Sequence, residues 1–244
     1  MRIPRIHTHS PLATGRQCQL DENAANHVGR VLRMQAGQSL VLFNGDGHDY
    51  NAVITEAGKK QVLVEVTEAS ANNTESPLNI VLAQTLSKGD RMDYAVQKAV
   101  EMGVTRIVPL TTERCDVKLK GDREDKRLRH WQQVAISAAE QCGRARVPDI
   151  LPIMTLEEWL DHASDYDLRL VLHHRTEHSL NTLNKPASVA LMIGPEGGLT
   201  ADEITQAEAR GFLPVALGPR VLRTETAPVA AIALCQWLWG DIGE

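Results

Sequence analysis

The sequence predicts an α/β protein in which a parallel sheet covered by helices follows a small β-rich N-terminal domain. Three observations carry this. From residue 78 onward, apolar strand-like runs alternate with amphipathic helical runs, the pattern of a parallel sheet packed on both faces. Before residue 70 the runs are short, alternate with period two and are broken by Asn44–Gly45–Asp46–Gly47, a hairpin signal. Between them, residues 69–77 are polar and end at Pro77, which reads as a linker. The expected domains are 1–70 and 78–244.

The first domain opens with a short helix. Asp21 is its N-cap, and Ala24, Ala25, Val28 and Leu32 form its apolar stripe. Strands follow at 39–43, 50–54 and 61–66, the last two joined through Gly58–Lys59–Lys60. A small closed barrel would protect their edges.

In the second domain, 80–83 is a strand, and Asp90 caps a helix to Met102 that stops at Gly103. Residues 104–110 form a strand and 124–142 a long helix. Thr155 and Glu158 make a capping box for a helix through Ala163. Strands at 168–172, 189–193 and 213–217 are separated by a helix at 201–210, itself opened by the Thr200/Glu203 capping box. An apolar helix at 230–239 ends the pattern.

The chain of 244 residues is 43% hydrophobic, with few aromatics, so its core is expected to be aliphatic. Net charge is -5. A basic nucleic-acid module would carry the opposite sign, so any RNA site must be a local patch. The four cysteines (Cys18, Cys115, Cys142, Cys235) form no C-x-x-C pair, which favours reduced cytosolic thiols over a zinc site or a disulfide framework. The start of the chain lacks the apolar core of a signal peptide, and no apolar run approaches the ~20 residues of a membrane span. A soluble cytoplasmic protein is expected.

Two segments stand out: Ile193–Gly194–Pro195–Glu196–Gly197–Gly198–Leu199–Thr200, and Leu217–Gly218–Pro219–Arg220–Val221–Leu222–Arg223–Thr224–Glu225–Thr226–Ala227–Pro228. Each ends a buried strand in Gly-Pro and leads into a helix. In parallel α/β folds ligands bind beyond the carboxyl ends of strands. Neither G-x-G-x-x-G nor a G-x-x-x-x-G-K-[ST] loop is present, so the paired loops suit a ligand without a phosphate signature.

These two loops, with "HVGRVLRM" at 27–34 and "EQCGR" at 140–144, closely resemble the SPOUT-class RNA methyltransferases. Within that class the chain resembles the 16S rRNA (uracil-1498-N3)-methyltransferase family over nearly its whole length. The resemblance implies a SPOUT-type parallel sheet with a C-terminal trefoil knot, a PUA-like N-terminal barrel, S-adenosylmethionine as cofactor and a homodimer built through the C-terminal domain. It also implies that 16S rRNA in the 30S subunit is the partner. The implied cofactor pocket uses Leu172 and His173 at one strand end. Ile193, Gly194, Glu196, Gly197 and Gly198 come from the first loop, and Leu217, Gly218, Val221 and Leu222 from the second.

Uridine N3 must lose a proton as it is methylated. Glu225 is the candidate base, and Arg223 is the candidate for stabilising charge on O2 or O4. RNA contact is expected from Arg2, Arg5, Arg30 and Arg33, from Lys88 and Arg91, and from Arg144 and Arg146. The i, i+4 pair His174 and His178, beside His173, lacks the acidic partner of a metal motif, and no metal is expected. Two other readings stay open on the residues: a non-enzymatic ribosome-assembly factor, and a methyltransferase of this fold acting on another RNA position.

Overall fold

A computed structural model describes residues 3–58, 61–176 and 178–243. They form two compact units, Met1–Glu75 with Ile136–Val147, and Ser76–Ala135 with Pro148–Glu244.

The first unit is built on a five-stranded sheet of β1 (Arg5–His7), β2 (Gln17–Gln19), β3 (Ser39–Phe43), β4 (His48–Ala57) and β5 (Val62–Ala71). Their order is β1-β3-β4-β5-β2. All its ladders are antiparallel except β1 with β3. Strands β1 and β2 were not anticipated, since three residues are too few to show a period. These two end strands share no ladder among the described residues; instead Ser10 Oγ, just past β1, donates to Gln19 O at 2.9 Å. Strand β5 runs on through Ala71, which pairs with His48, so the start of the expected linker is strand. Alternate residues Val62, Val64 and Val66 are buried with Leu40, Leu42, Ala52 and Ile54.

Helix α1 (Glu22–Asn26) packs on this sheet through Ala24 and Ala25. Asp21 caps it by accepting from Asn23 N and Ala24 N, both at 3.1 Å. Burial would raise the Asp21 carboxyl, but hydrogen bonds from His9 N, Thr8 and Ala24 N hold it below the usual range. The helix then widens into a turn at His27–Val31, and Leu32, expected in the apolar stripe, is exposed.

The second unit contains β6 (Asn79–Thr85), α2 (Arg91–Glu101), β7 (Arg106–Thr111) and α3 (Asp122–Cys142), whose residues from Ile136 group with the first unit. Then follow β8 (Asp149–Ile150), β9 (Met154–Thr155), α4 (Leu156–His162), β10 (Leu168–Leu172), β11 (Ser188–Ile193), α5 (Ala201–Ala209), β12 (Leu213–Val215) and α6 (Thr226–Trp239). The sheet order is β12-β10-β11-β6-β7-β8, with β9 also on β7. Every ladder is parallel.

On one face Val81, Val108, Val171, Ala190 and Met192 pack against Trp159 and Leu160 of α4 and Ile204 of α5. Helix α6 packs against α2 and β6. Both capping boxes form, at Thr155/Glu158 and Thr200/Glu203. Asp90 stands at the N-cap position of α2 but makes no side-chain cap bond. Gly103 ends α2 at φ +89°, where a Cβ would lie 2.6 Å from Gln236 Nε2. That amide donates to Met102 O at 3.0 Å, so the glycine is needed for both backbone angle and space. No helix among the described residues is long and apolar enough to cross a membrane.

Candidate functional site

Strands β12, β10 and β11 are neighbours, so their carboxyl ends lie side by side. The loops that leave them enclose a cleft of ≈ 970 Å³, within the range of small-molecule sites. Strand β10 ends at Leu172, and the N–H of His173 after it donates to Val215 O at 3.0 Å and ties this end to β12. After β11 comes the tight turn of Pro195 to Gly198, closed by Gly198 N donating to Pro195 O at 2.9 Å. Gly198 sits at φ +69° and Gly218, in the loop after β12, at φ +84°. Both are angles that L side chains adopt only with strain. A Cβ on either would meet nothing within 4 Å, so backbone there borders open space that a flat ligand can approach.

A buried polar network joins the two glycine loops. Thr224 Oγ1 donates to Gly194 O at 3.1 Å and accepts from Gln84 Nε2 at 3.1 Å. Thr85 Oγ1 donates to Ile193 O at 2.9 Å. Gln84, Thr85 and Thr224 are all buried. The carboxyl end of β6 thus anchors both loops to the sheet.

All eleven residues of the cofactor pocket expected from the sequence line this one cleft: Leu172, His173, Ile193, Gly194, Glu196, Gly197, Gly198, Leu217, Gly218, Val221 and Leu222. So do Arg223 and Glu225. Arg223 makes no ion pair among the described residues, and Arg223 O accepts from Thr226 N and Ala227 N at the start of α6. Glu225 Oε2 is buried without a hydrogen-bond partner; its nearest cation is Arg91 Nε at 3.9 Å.

Arg91, grouped by sequence with Lys88 as an RNA contact, lies in the cleft wall. Its Nη1 donates to Glu196 Oε1 at 2.7 Å. Burial would raise the Glu196 carboxyl, but hydrogen bonds from its own N–H and from Arg91 hold it below the usual range. Burial, then His174 and Arg175, push the His173 ring down, against a smaller opposing pull from Glu208, so it is neutral at pH 7. Arg114, which the sequence reading missed, donates from Nη1 to Gly197 O at 3.1 Å. Its position just after β7, a strand end beside β6, was the signal that could have found it.

The remaining candidate RNA contacts are scattered. Arg2 lies outside the described residues. Arg5 is committed to Asp49 Oδ2 at 2.6 Å and to Arg144 O at 3.1 Å. Arg144 is not a surface cation: it is 4% exposed and pairs with Glu75 through Nη2 at 2.6 Å. Lys88 forms an exposed pair with Asp116. Arg30, Arg33 and Arg146 are exposed. Among the described residues no three His, Cys, Asp or Glu side chains gather to hold a metal.

Residues 74–236 match the family model of the RNA methyltransferase domain, and residues 20–67 that of the RNA methyltransferase PUA domain. The ribosomal RNA small subunit methyltransferase E of Buchnera aphidicola is 34% identical over 241 residues, 98% of this chain and 95% of that one. The chain belongs to the ribosomal RNA small subunit methyltransferase E family. The Bacillus subtilis member is 30% identical over 217 residues, covering 85% of each chain. The Neisseria gonorrhoeae member, crystallised bound to S-adenosyl methionine, superposes with a TM-score of 0.92 at 42% identity over 99% of this chain and 100% of that one. In this family member the α/β sheet and the cleft thus belong to the RNA methyltransferase domain, and the N-terminal strands include its PUA domain.

Proposed function

We propose that this chain transfers the methyl group of S-adenosylmethionine to N3 of uridine 1498 in 16S rRNA. The observation that carries this is the joining of the two glycine loops around one cleft by the Gln84–Thr224–Gly194 network. Family membership and the S-adenosyl methionine bound by the Neisseria relative support it.

The residues present fit the cofactor. Backbone borders open space at Gly198 and Gly218, which suits a flat adenine. The arginines of the cleft wall suit a carboxylate. When bound, the cofactor supplies an electrophilic methyl on a sulfonium that leaves as a neutral thioether. Leu172, Ile193, Leu217 and Leu222 would hold it, with the glycine loops reading its polar edges. These loops would align the cofactor's methyl with N3 of the uridine, and positioning of that kind lowers a bimolecular barrier substantially. Glu225, part-exposed on the cleft wall with Arg91 Nε 3.9 Å from its buried Oε2, takes the N3 proton as the N–C bond forms. Arg223, with no carboxylate partner among the described residues, opposes the negative charge developing on O2 or O4.

Three further features belong to this reading. The last ~90 residues tie a trefoil knot. In support, the chain leaves β12 at the sheet edge and returns past the β11 loop at Gly194 to pack α6 on α2 and β6. The protein acts as a homodimer, for which the exposed Leu234 and Trp237 of α6 offer apolar surface. It works in the cytoplasm on the 30S subunit.

The test is methyl transfer from labelled S-adenosylmethionine to 30S subunits and to naked 16S rRNA from cells lacking this protein, followed by nucleoside analysis. The expected product is 3-methyluridine. Label in another nucleoside overturns the target, and cofactor binding without transfer overturns the enzymatic reading.

A further inference from the structure

The first unit carries an exposed tip whose shape none of the chemistry above requires. After α1 the backbone makes one wide turn, in which Leu32 N donates to His27 O at 2.9 Å. The turn closes with Met34 N donating to Val28 O at 3.0 Å. Closure of this kind needs a left-handed residue, normally glycine. Here it is Arg33, at φ +53°, the one non-glycine residue with positive φ among the described residues.

The tip is also fixed in place. Val28 and Met34 are buried on either side of it. A Cβ on Gly29 would stand 2.7 Å from Gly58 O, so turn and hairpin approach backbone to backbone. Between these anchors Val31 is 66% and Leu32 40% exposed. Arg30 and Arg33 flank them, and neither guanidinium has an ion-pair or hydrogen-bond partner among the described residues. No acidic residue occurs in sequence between Glu22 and Asp46. A strained backbone that holds two apolar side chains out to solvent between two unneutralised cations points to an outside partner.

We infer that Val31 and Leu32 form a wedge that packs on the faces of unstacked bases in RNA while Arg30 and Arg33 grip the flanking phosphates. The inference rests on the RNA-methyltransferase reading and names how that RNA is held. A polyanion alone would satisfy the arginines and leave the apolar pair in water. An apolar surface alone would leave the arginines without purpose. An opened RNA step offers base faces and phosphates together.

Binding of a 16S rRNA transcript to the full chain, followed by fluorescence anisotropy across a salt series, separates the two parts. Val31→Ser with Leu32→Ser should weaken binding about tenfold, the loss from unburying one aliphatic side chain, with an unchanged salt slope. Arg33→Gly should lower the slope of log K against log salt by about one contact, ~0.7–0.9, without lowering the melting temperature, because glycine accepts the left-handed angle. S-adenosylmethionine affinity should stay at the wild-type value in both.

If wild type binds and methylates RNA while the serine double variant binds within twofold of it, the wedge is wrong and the methyltransferase reading stands. If wild type does not bind RNA, both fall. If the double variant keeps RNA affinity but changes oligomeric mass in light scattering, the tip contacts protein and the inference is overturned.

Discussion

Replacing Thr224 with valine tests what holds the two glycine loops together. The change keeps the shape and removes one hydroxyl. That hydroxyl donates to Gly194 O and accepts from Gln84 Nε2, both at 3.1 Å. Gln84 Nε2 keeps contacts to Thr85 O at 3.3 Å and Thr224 O at 3.5 Å, so the larger penalty falls on the part-buried Gly194 carbonyl, which loses its donor at the cleft wall. A part-buried acceptor left without its donor, together with one lost neutral hydrogen bond, costs about 1–2 kcal/mol. For a unit of this size that corresponds to a fall in melting temperature of about 5 °C. The loops should also lose their fixed spacing, so S-adenosylmethionine affinity by calorimetry should drop about tenfold or more. Thr224→Ser, which restores the donor, should recover most of both. A valine variant that melts within 1 °C of wild type and binds cofactor within twofold would refute the claim that this network sets the site.

Glu225→Gln should abolish methyl transfer in a single-turnover assay while cofactor affinity stays within about threefold of wild type; retained turnover would assign the base elsewhere. Arg144→Ala should destabilise the first unit by about 2–3 kcal/mol in urea unfolding, because it removes a charge-assisted bond to the part-exposed Glu75 carboxylate; a change confined to RNA affinity would contradict its buried position. The Glu140 carboxylate, with Oε2 3.6 Å from His27 Nδ1, raises the His27 pKa above its ordinary 6.5, against the opposing effect of burial. The raised folded value means that His27 contributes stability fully below about pH 6.5, which is lost as pH rises through the folded pKa. The stability difference between wild type and His27→Gln should therefore be largest in acid and shrink above neutrality, and a difference that grows with pH would reverse the sign.

What the sequence made legible follows from the range of the forces involved. Both capping boxes and the Gly103 stop are local chemistry over three or four residues, and each forms as expected. The alternation of strands and helices reports burial period, also local. Strand order does not. That β10 stands between β11 and β12, bringing Leu172 and His173 between the two glycine loops, depends on pairings no periodicity records. The fate of the arginines is equally remote. Arg91 meets Glu196 105 residues away and Arg144 meets Glu75 69 residues away. Leu32 fails for a subtler reason. Val28 and Leu32 share a face in a helix of 3.6 residues per turn, but the wider turn at His27–Val31 breaks that register and sends Leu32 to solvent.

The same sorting of arginines resolves the conflict between an acidic chain and an RNA partner. A net charge of -5 counts every cation alike, but screening limits exposed charges to a reach of about 8 Å at physiological salt, so only local balance matters to a phosphate. Arg5, Arg91, Arg144 and Arg210 are each answered by a carboxylate: Asp49, Glu196, Glu75 and Asp161. They brace the fold and the cleft wall. Arg30 and Arg33 on the tip, and Arg175, Arg220 and Arg223 around the cleft, have no such partner among the described residues. Those five arginines are therefore left to meet phosphates at the tip and around the cleft. In such an arrangement the salt dependence of RNA binding counts the unpaired arginines alone, and the paired ones register as stability.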